Sequence, residues 1–316
     1  TFAAEITKIQ PIMIYRHALK YLQQWKRRDN HKPLILRGAR QVGKTTLVEM
    51  FANSFDQYIH LNLERDADRR LFEQYRDVNK LIEVILFNNR QVLNESQDTL
   101  LFIDEIQNSP EAVAMLRYFY EDYPDLYVIA AGSLLENVID RKISFPVGRV
   151  EYMAVHPCSF LEFLNGIGED FDREAVEDQK GDFIHDRLMD HFRRYCLVGG
   201  MPEVVASYAK TRNLHGLDTI YDALIASYCD DVEKYASGDA QAKVLRHIIN
   251  KGWEKSGEII TFEGFGGERY KSREVSEAFY TIQKAMLLEL VYPCTSPRLP
   301  FNTQYTRRPK LLWLDT

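Results

Sequence analysis

Short apolar runs alternate with amphipathic segments over the first half of the chain. The runs lack polar alternation, as is typical of strands buried on both faces of a parallel sheet, and the segments between them show helical spacing. The predicted strands are residues 33–37, 58–63, 99–103, 127–131 and 150–155. Because helices separate consecutive strands, the pattern indicates βαβ units and predicts an α/β fold with a parallel sheet flanked by helices.

The middle of the chain is predicted to be helical. Ser159 and Glu162 have the spacing of a capping box, which predicts a helix start just after Pro157. Residues 166–182 hold seven acidic residues, two basic residues and three glycines, which favours an exposed linker or insertion. Helical spacing resumes after this segment and is interrupted only at 199–202, where two glycines come shortly before a proline.

The segment after residue 240 forms a third part of the pattern. Apolar spacing predicts helices over 242–253 and 272–289, a glycine-rich turn at 264–267, and then two short strands. A helix–turn–helix followed by a two-stranded hairpin is typical of a winged-helix module. The sequence has no initiator Met and stops inside an apolar run, so we expect a fragment with its last module truncated.

Composition narrows the class of protein. The chain has 316 residues, of which 45% are hydrophobic and 27% charged, values typical of a soluble globular protein with two or three domains. It contains no run of about 18 apolar residues and begins with no basic region followed by an apolar stretch, so we expect neither a membrane span nor a secretory signal. Four widely spaced cysteines without a CxxC pair favour a reducing cytoplasm over a zinc or disulfide scaffold.

Charge is distributed unevenly along the chain. The net charge is −6, but residues 240–316 carry 12 basic and 8 acidic residues, a net +4, whereas residues 1–239 carry 28 and 38, a net −10. A nucleic-acid-binding surface along the whole chain is therefore excluded, and a mildly basic C-terminal part remains.

The strongest chemical signal is a glycine-rich loop after the first predicted strand. Residues 38–45 (GARQVGKT) match the P-loop pattern GxxxxGKS/T, with an amphipathic helix following. In such a loop the backbone N–H groups form a nest for a polyphosphate, and the helix start adds its positive dipole end. Lys44 is predicted to bridge the β- and γ-phosphates, and Thr45 to offer its hydroxyl to Mg²⁺. The predicted nucleotide-binding residues of this loop are Gly38, Ala39, Arg40, Gln41, Val42, Gly43, Lys44, Thr45 and Thr46.

An acidic pair follows the third predicted strand. Asp104 is predicted to hold Mg²⁺ together with Thr45, and Glu105 to polarise a water for in-line attack. The alternative is that both acids merely cap the next element. A Glu105 that activates water argues against phosphate transfer to a small molecule, because such an enzyme would waste ATP by hydrolysis. The sequence also lacks the guanine-binding motif NKxD, which favours ATP over GTP as the nucleotide.

Further motifs follow the P-loop and the acidic pair along the chain. With residues 131–133 (AGS), 148–149 (GR), 157–164 (PCSFLEFL) and 199–203 (GGMPE) in this order, the chain resembles the poorly characterised bacterial and archaeal AAA+-like ATPases. These are relatives of the origin-recognition and signal-transduction ATPases, and the resemblance covers nearly the whole chain. A restriction-endonuclease-like region often follows in that family, but this sequence ends before it, so we carry over no nuclease activity.

The resemblance implies three site residues. Ser133 occupies the sensor-1 position, Arg149 that of an arginine finger reaching a neighbouring subunit, and Pro202 that of a lid proline near the adenine. The plainer alternatives are a small residue ending a strand, a surface or salt-bridged arginine, and a helix-breaking proline. Arg40 could stabilise the loop or contact the nucleotide, and Gln107 could orient water or do nothing catalytic. The histidines form no HxxxH or HExxH pattern, so no metal–histidine site is predicted.

Four predicted domains summarise this organisation. They are a P-loop AAA+-type ATPase core over 1–165, an acidic linker or insertion over 166–182, a helical lid over 183–236 and a winged-helix-like module over 240–316. The function predicted for them is Mg²⁺-dependent ATP hydrolysis coupled to motion of the last module. The alternative is a slow, nucleotide-gated DNA- or protein-binding switch.

The last module could bind a partner macromolecule. Its helix over residues 272–290 has a net charge of −1, which suits DNA poorly, whereas basic residues in the hairpin suit it better. These are Arg298, Arg307, Arg308 and Lys310. A solvated basic hairpin or a protein-docking lid is the alternative. The predicted partners are thus ATP and ADP, DNA or a protein through 240–316, and a second copy of the chain through Arg149.

Overall fold

The apolar runs of the first half form one parallel sheet in the computed structural model of the protein. The strands lie in the order β2-β3-β4-β1-β5, and every neighbouring pair is parallel. The strands are β1 (Leu34–Arg37), β2 (Gln57–Asn62), β3 (Thr99–Asp104), β4 (Tyr127–Gly132) and β5 (Glu151–Ala154). All six residues of β3 are buried, as its continuous apolar sequence predicts for a strand covered on both faces. The predicted parallel sheet is confirmed.

Twelve α-helices lie in the described part of the chain, which comprises residues 13–94, 96–132, 146, 148–233, 236–296 and 298–315. They are α1 (Ala18–Lys26), α2 (Lys44–Ala52), α3 (Asp66–Gln74), α4 (Val78–Asn89), α5 (Pro110–Asp122), α6 (Phe160–Gly166), α7 (Asp170–Glu177), α8 (His185–Val198), α9 (Pro202–Thr211), α10 (Leu217–Glu233), α11 (Asp239–Lys251) and α12 (Ser272–Lys284). Two antiparallel strands, β6 (Leu288–Val291) and β7 (Lys310–Trp313), complete the description.

The chain divides into two compact units. The sheet unit comprises Ala18–His156 and Leu224–Leu314. The helical unit comprises the described residues of Thr1–His17, Pro157–Ala223 and Asp315–Thr316. The four domains predicted from the sequence remain predictions.

The core of the sheet unit lies on both faces of the sheet. One cluster joins apolar residues of the strands to those of α3, α4 and α5, including Phe72, Leu81 and Phe119. Local capping helps to start these helices: the Ser109 hydroxyl accepts a hydrogen bond from Ala112 N at 3.1 Å, and Pro110 occupies the first turn of α5. Trp25 of α1 is fully buried, and its indole nitrogen donates to Lys32 O at 3.0 Å.

The C-terminal part of the sheet unit contains α11, α12 and the β6–β7 hairpin. The prediction that the second of these helices reaches residue 289 is wrong, because α12 ends at Lys284 and residues 288–291 form β6. Met286 takes a left-handed conformation with φ 59°, which stops the helix, and the following residues pair with β7. Leu288 and Leu290, whose spacing suggested a helix, therefore lie in a strand.

Aromatic packing holds the hairpin to the 3-10 turn Gly252–Lys255 that follows α11. The rings of Trp253 and Trp313 stack with centroids 3.9 Å apart. A Cβ on Gly252 would lie only 2.6 Å from Cζ2 of Trp313, so the close approach needs glycine there. Ile259 and Lys310 form an additional antiparallel bridge beside β7.

The helical unit begins with the predicted capping box, which is confirmed. Ser159 Oγ accepts from Glu162 N at 3.3 Å, and Glu162 Oε2 accepts from Ser159 N at 2.9 Å. Residues 166–182, expected to be an exposed linker or insertion, contain helix α7. Its Asp172 is buried, so part of this acidic segment packs against the unit.

The predicted break at 199–202 is a tight contact point of the helical unit. A Cβ on Gly200 would lie 2.3 Å from Cys158 O, and Gly200 O accepts from Cys158 N at 2.6 Å. The carboxylate of Asp315 accepts from Gly200 N at 2.7 Å. Close backbone approach therefore explains this glycine without any ligand.

Candidate functional site

The glycine-rich loop spans the residues between β1 and α2. Gln41 and Gly43 have positive φ angles of 65° and 88°, so the backbone curls in the left-handed region on its way into the helix. The N-cap residue of α2 is Gly43, which has no side chain to cap the helix. The N–H groups of the first helical turn have no partners within the helix, and the positive end of its dipole accompanies them. This end of α2 is suited to an anion.

Packing against β5 holds the first residues of the loop. Val155 N donates to Arg37 O at 2.7 Å, and a Cβ on Gly38 would lie only 2.3 Å from Val155 O. Ala39 and Val42 are buried. The loop shape is therefore set by its neighbours in the sheet unit.

Lys44 lies inside the curl of the loop. Its Nζ donates to Gly38 O and Ala39 O, both at 2.9 Å, and the residue is only 8% exposed. Burial lowers the pKa of its ammonium, while the nearby carboxylates of Glu105 and Asp104 oppose that shift. A buried cation enclosed by carbonyls and N–H groups is placed to receive a phosphate. Thr46 follows on the first turn of α2 with an exposed side chain.

Thr45 and Asp104 are in contact at the carboxyl ends of the strands. Thr45 Oγ1 donates to Asp104 Oδ2 at 2.8 Å, and Asp104 is 4% exposed at the end of β3. A hydroxyl and a carboxylate in contact form the type of oxygen pair that Mg²⁺ binds. The structure thus brings together the two residues predicted as metal ligands.

His60 is a neighbour of this pair that the sequence analysis missed. Its Nε2 lies 3.7 Å from Asp104 Oδ2, and its ring stacks on Phe102 with centroids 4.8 Å apart. It lies on β2, which pairs with β3. The alternation of residues along β2 could have shown on which face of the strand His60 lies. The pairing of β2 with β3, which brings His60 near Asp104, is not visible in the sequence.

Glu105 follows in a left-handed conformation, with φ 54° and ψ 42°. Its backbone N donates to Asp104 Oδ1 at 3.0 Å, and the Gln107 amide donates to Glu105 Oε2. Burial raises the pKa of the Glu105 carboxyl, and the hydrogen bond from Gln107 counteracts part of that rise. Gln107 therefore holds the carboxylate in place, a contact that the sequence did not reveal.

Of the other three predicted site residues, one lies elsewhere in the sheet unit, one belongs to the helical unit and one falls outside the described residues. Arg149 Nε donates to Glu121 Oε1 at 3.2 Å, and its side chain is 45% exposed. It precedes β5 and so lies near the amino ends of the parallel strands, whereas the loop follows the carboxyl end of the neighbouring strand β1. Pro202 opens α9 in the helical unit, and Ser133 lies outside the described residues. Their predicted roles stay predictions.

The helical unit contains one group of possible metal ligands among the described residues, namely Glu169, Asp172 and His191, whose ligand atoms lie within 4.8 Å of one another. Asp172 accepts from Arg187, and its Oδ2 lies 3.3 Å from His191 Nε2. These contacts account for the buried carboxylate as an ion-pair group.

The residues at the loop fit a magnesium–triphosphate group. The uncapped start of α2 and the Lys44 ammonium supply donors for phosphate oxygens. The Thr45 hydroxyl and the Asp104 carboxylate supply oxygen ligands for a hard divalent cation. All of these groups are at the carboxyl ends of parallel strands, where ligands bind in open α/β sheets.

Comparison with known proteins agrees with this geometry. Residues 30–164 match the model of a family described as an AAA domain, and the chain is similar to a Walker-type ATPase of Pyrococcus abyssi. That structure has a TM-score of 0.51 and 15% identity, covering 88% of this chain and 91% of that chain. Residues 30–164 are thus similar to an AAA domain, and the structural likeness supports the fold.

The rest of the chain is less informative. Residues 189–316 match a second family model, described as a domain of unknown function (DUF8612). No curated protein matches the chain. Within the residues described above, no helix is both long and apolar enough to cross a membrane.

Proposed function

We propose that the protein binds and hydrolyses ATP in a Mg²⁺-dependent reaction at the loop between β1 and α2. The 2.8 Å contact between Thr45 and Asp104 carries this proposal, because it joins a phosphate-binding loop to a carboxylate beside a further acid. Thr45 and Asp104 are the side chains that would hold Mg²⁺. An ion held there would supply positive charge to offset the negative charge of the triphosphate.

Each residue at the loop has a separate task in this proposal. The N–H groups at the start of α2 and the Lys44 ammonium bind the phosphates. Glu105, held by Gln107, accepts a proton from the attacking water. From the resemblance, Ser133 contacts the γ-phosphate or the water, Pro202 packs near the adenine, and Arg149 reaches the nucleotide of a second copy of the chain. The cytoplasm is the proposed location.

Two substitutions test binding and chemistry separately. Lys44→Met should weaken ATP binding about 10- to 100-fold, since a charge-assisted hydrogen bond is lost. Glu105→Gln should leave ATP binding intact and reduce turnover by about 100-fold or more. Both are measured by calorimetry and phosphate release. Unchanged turnover of the Glu105→Gln variant would contradict the assignment of Glu105 as the base.

A slow nucleotide-gated switch is the second candidate. It is favoured by the contact of Glu105 with Gln107, because the amide donates to Glu105 Oε2 and occupies one of the two oxygens that could accept a proton from water. Two measurements distinguish the hydrolase from the switch: the rate of ATP turnover, and the effect of ATP on the affinity for duplex DNA over a salt series. Rapid turnover without nucleotide-dependent DNA affinity would exclude the switch.

The C-terminal part supplies the proposed moving element. We infer a winged-helix-like module from α11, α12 and the antiparallel β6–β7 hairpin, with the Ile259–Lys310 bridge beside it. The hairpin side chains proposed to meet DNA or a protein are exposed: Arg298, Arg307, Arg308 and Lys310. Nucleotide-driven motion of this module is the proposed coupling.

A further inference from the structure

One cation of the phosphate loop is bound to a carboxylate far away in the sequence. Arg40 Nη1 donates to Asp231 Oδ1 at 3.2 Å, across 191 positions. Asp231 lies near the end of α10 and is 7% exposed. We propose that Asp231 competes with the nucleotide phosphates for Arg40 and thereby sets the affinity of the loop for a nucleoside triphosphate. This inference rests on the proposed function of the loop.

The position of Asp231 is costly for a carboxylate. Leu224 and Tyr228 of the same helix are buried, and their spacing puts Asp231 on the same face of α10, where apolar residues are expected. The last turn of a helix carries the negative end of its dipole, which disfavours an anion. Burial adds a second penalty for the charged form. The Arg40 guanidinium lies within hydrogen-bond distance of this carboxylate, and its positive charge offsets both penalties.

The loop keeps its shape without the Arg40 contact. Gly38 is packed beneath Val155, Val42 is buried, and Lys44 is bonded to two loop carbonyls. Arg40 itself has a side chain that is 37% exposed. A guanidinium binds carboxylate and phosphate with the same fork of N–H groups. Arg40 can therefore exchange one acceptor for the other while the loop stays in place.

Asp231 also lies within the electrostatic field of the loop. Its charge is among those that raise the pKa of Lys44, whereas Arg40 lowers it. A carboxylate this close to the loop repels an incoming triphosphate, and it also holds the arginine that would attract one. Both effects weaken binding, so neutralising Asp231 should strengthen it.

The first experiment measures the affinity for MgATP of Asp231→Asn by calorimetry. We expect the dissociation constant to fall about three- to tenfold relative to the unmodified chain. Asp230→Asn is the matched control, since it removes the same charge at the adjacent, exposed position, and it should change the dissociation constant by less than about twofold. Unchanged or weaker binding by Asp231→Asn would overturn the proposal.

A second pair of variants distinguishes competition for Arg40 from simple repulsion. Arg40→Gln alone should weaken MgATP binding, because the phosphate contact is lost. Asp231→Asn added to Arg40→Gln should then tighten binding by less than it does in the unmodified chain, because only the repulsion is left to remove. If Asp231→Asn tightens binding equally in both backgrounds, Asp231 acts only through space and the competition is refuted.

Hydrogen exchange keeps the test decisive if Asp231→Asn fails to fold. In the unmodified chain, MgATP should speed amide exchange in the last turn of α10, because Asp231 loses Arg40. In Arg40→Gln this turn should already exchange quickly and should not respond to MgATP. Slower exchange on MgATP binding would contradict the proposal. If the unmodified chain and Asp230→Asn do not bind MgATP at all, the proposed function itself has failed.

Discussion

Thr45 Oγ1 donates to Asp104 Oδ2 at 2.8 Å although 59 positions separate the two residues in the chain. The contact joins the start of α2 to the end of β3, and β4 lies between β1 and β3 in the sheet. A hydroxyl from one βα junction and a carboxylate from another thus meet at one edge.

Removal of the Thr45 hydroxyl should reduce the dependence of ATP affinity on Mg²⁺. In Thr45→Ala one oxygen ligand is lost, so we expect the gain in affinity from Mg²⁺ to shrink about tenfold. Thr45→Ser keeps the hydroxyl and should stay within about twofold of the unmodified protein. Titrations of ATP with Mg²⁺ and with EDTA measure both. An equal gain from Mg²⁺ in Thr45→Ala would exclude Thr45 as a ligand.

Glu105→Gln should stabilise the folded protein at neutral pH. Burial raises the pKa of Glu105 in the fold, so its contribution to stability is complete below the unfolded pKa of about 4.3 and is lost as pH rises through the folded pKa. The neutral amide avoids that loss. The Tm of Glu105→Gln should therefore exceed that of the unmodified protein at pH 7, and the difference should shrink toward pH 4. Glu83→Gln, at an exposed position, is the control and should show no such trend.

A methyl group at Gly38 should disrupt the loop. The Cβ of Gly38→Ala would lie 2.3 Å from Val155 O, and because the obstacle is backbone, β1 and β5 must separate. We expect a loss of about 1–3 kcal/mol in the free energy of unfolding, measured by urea denaturation. Gly238→Ala meets nothing within 4 Å and should cost much less. Equal effects of the two substitutions would show that the close contact is relieved easily.

Arg149 should matter to turnover and hardly at all to stability. Its pair with Glu121 is exposed, so Arg149→Ala should change the free energy of unfolding by less than about 1 kcal/mol. If Arg149 reaches a neighbouring subunit, the specific activity should rise with protein concentration in the unmodified chain and not in Arg149→Ala. Arg117 binds the same Glu121, so Arg117→Ala is the matched control and should keep the rise. A specific activity independent of concentration in the unmodified chain would exclude the trans role.

Much of the sheet unit follows from local patterns. The end of β3 illustrates this, because four consecutive apolar residues followed by Asp104 and Glu105 predict both a buried strand and acids at its carboxyl end. The loop from Gly38 to Thr45 was equally visible, because its motif consists of consecutive residues between a predicted strand and a predicted helix. By contrast, α12 was predicted five residues too long, because Leu288 fits helical spacing as well as strand alternation. Pairing with β7 resolved that ambiguity.

Local chemistry along the chain was therefore sufficient for the phosphate loop, the metal-ligand candidates and the strands that carry them, because each depends on residues close in sequence. The partners of these residues required the folded chain. His60 reaches Asp104 through the pairing of two strands, and Arg40 reaches Asp231 across 191 positions. Such contacts depend on strand order and on where a distant helix packs, and neither leaves a periodic trace in the amino-acid sequence.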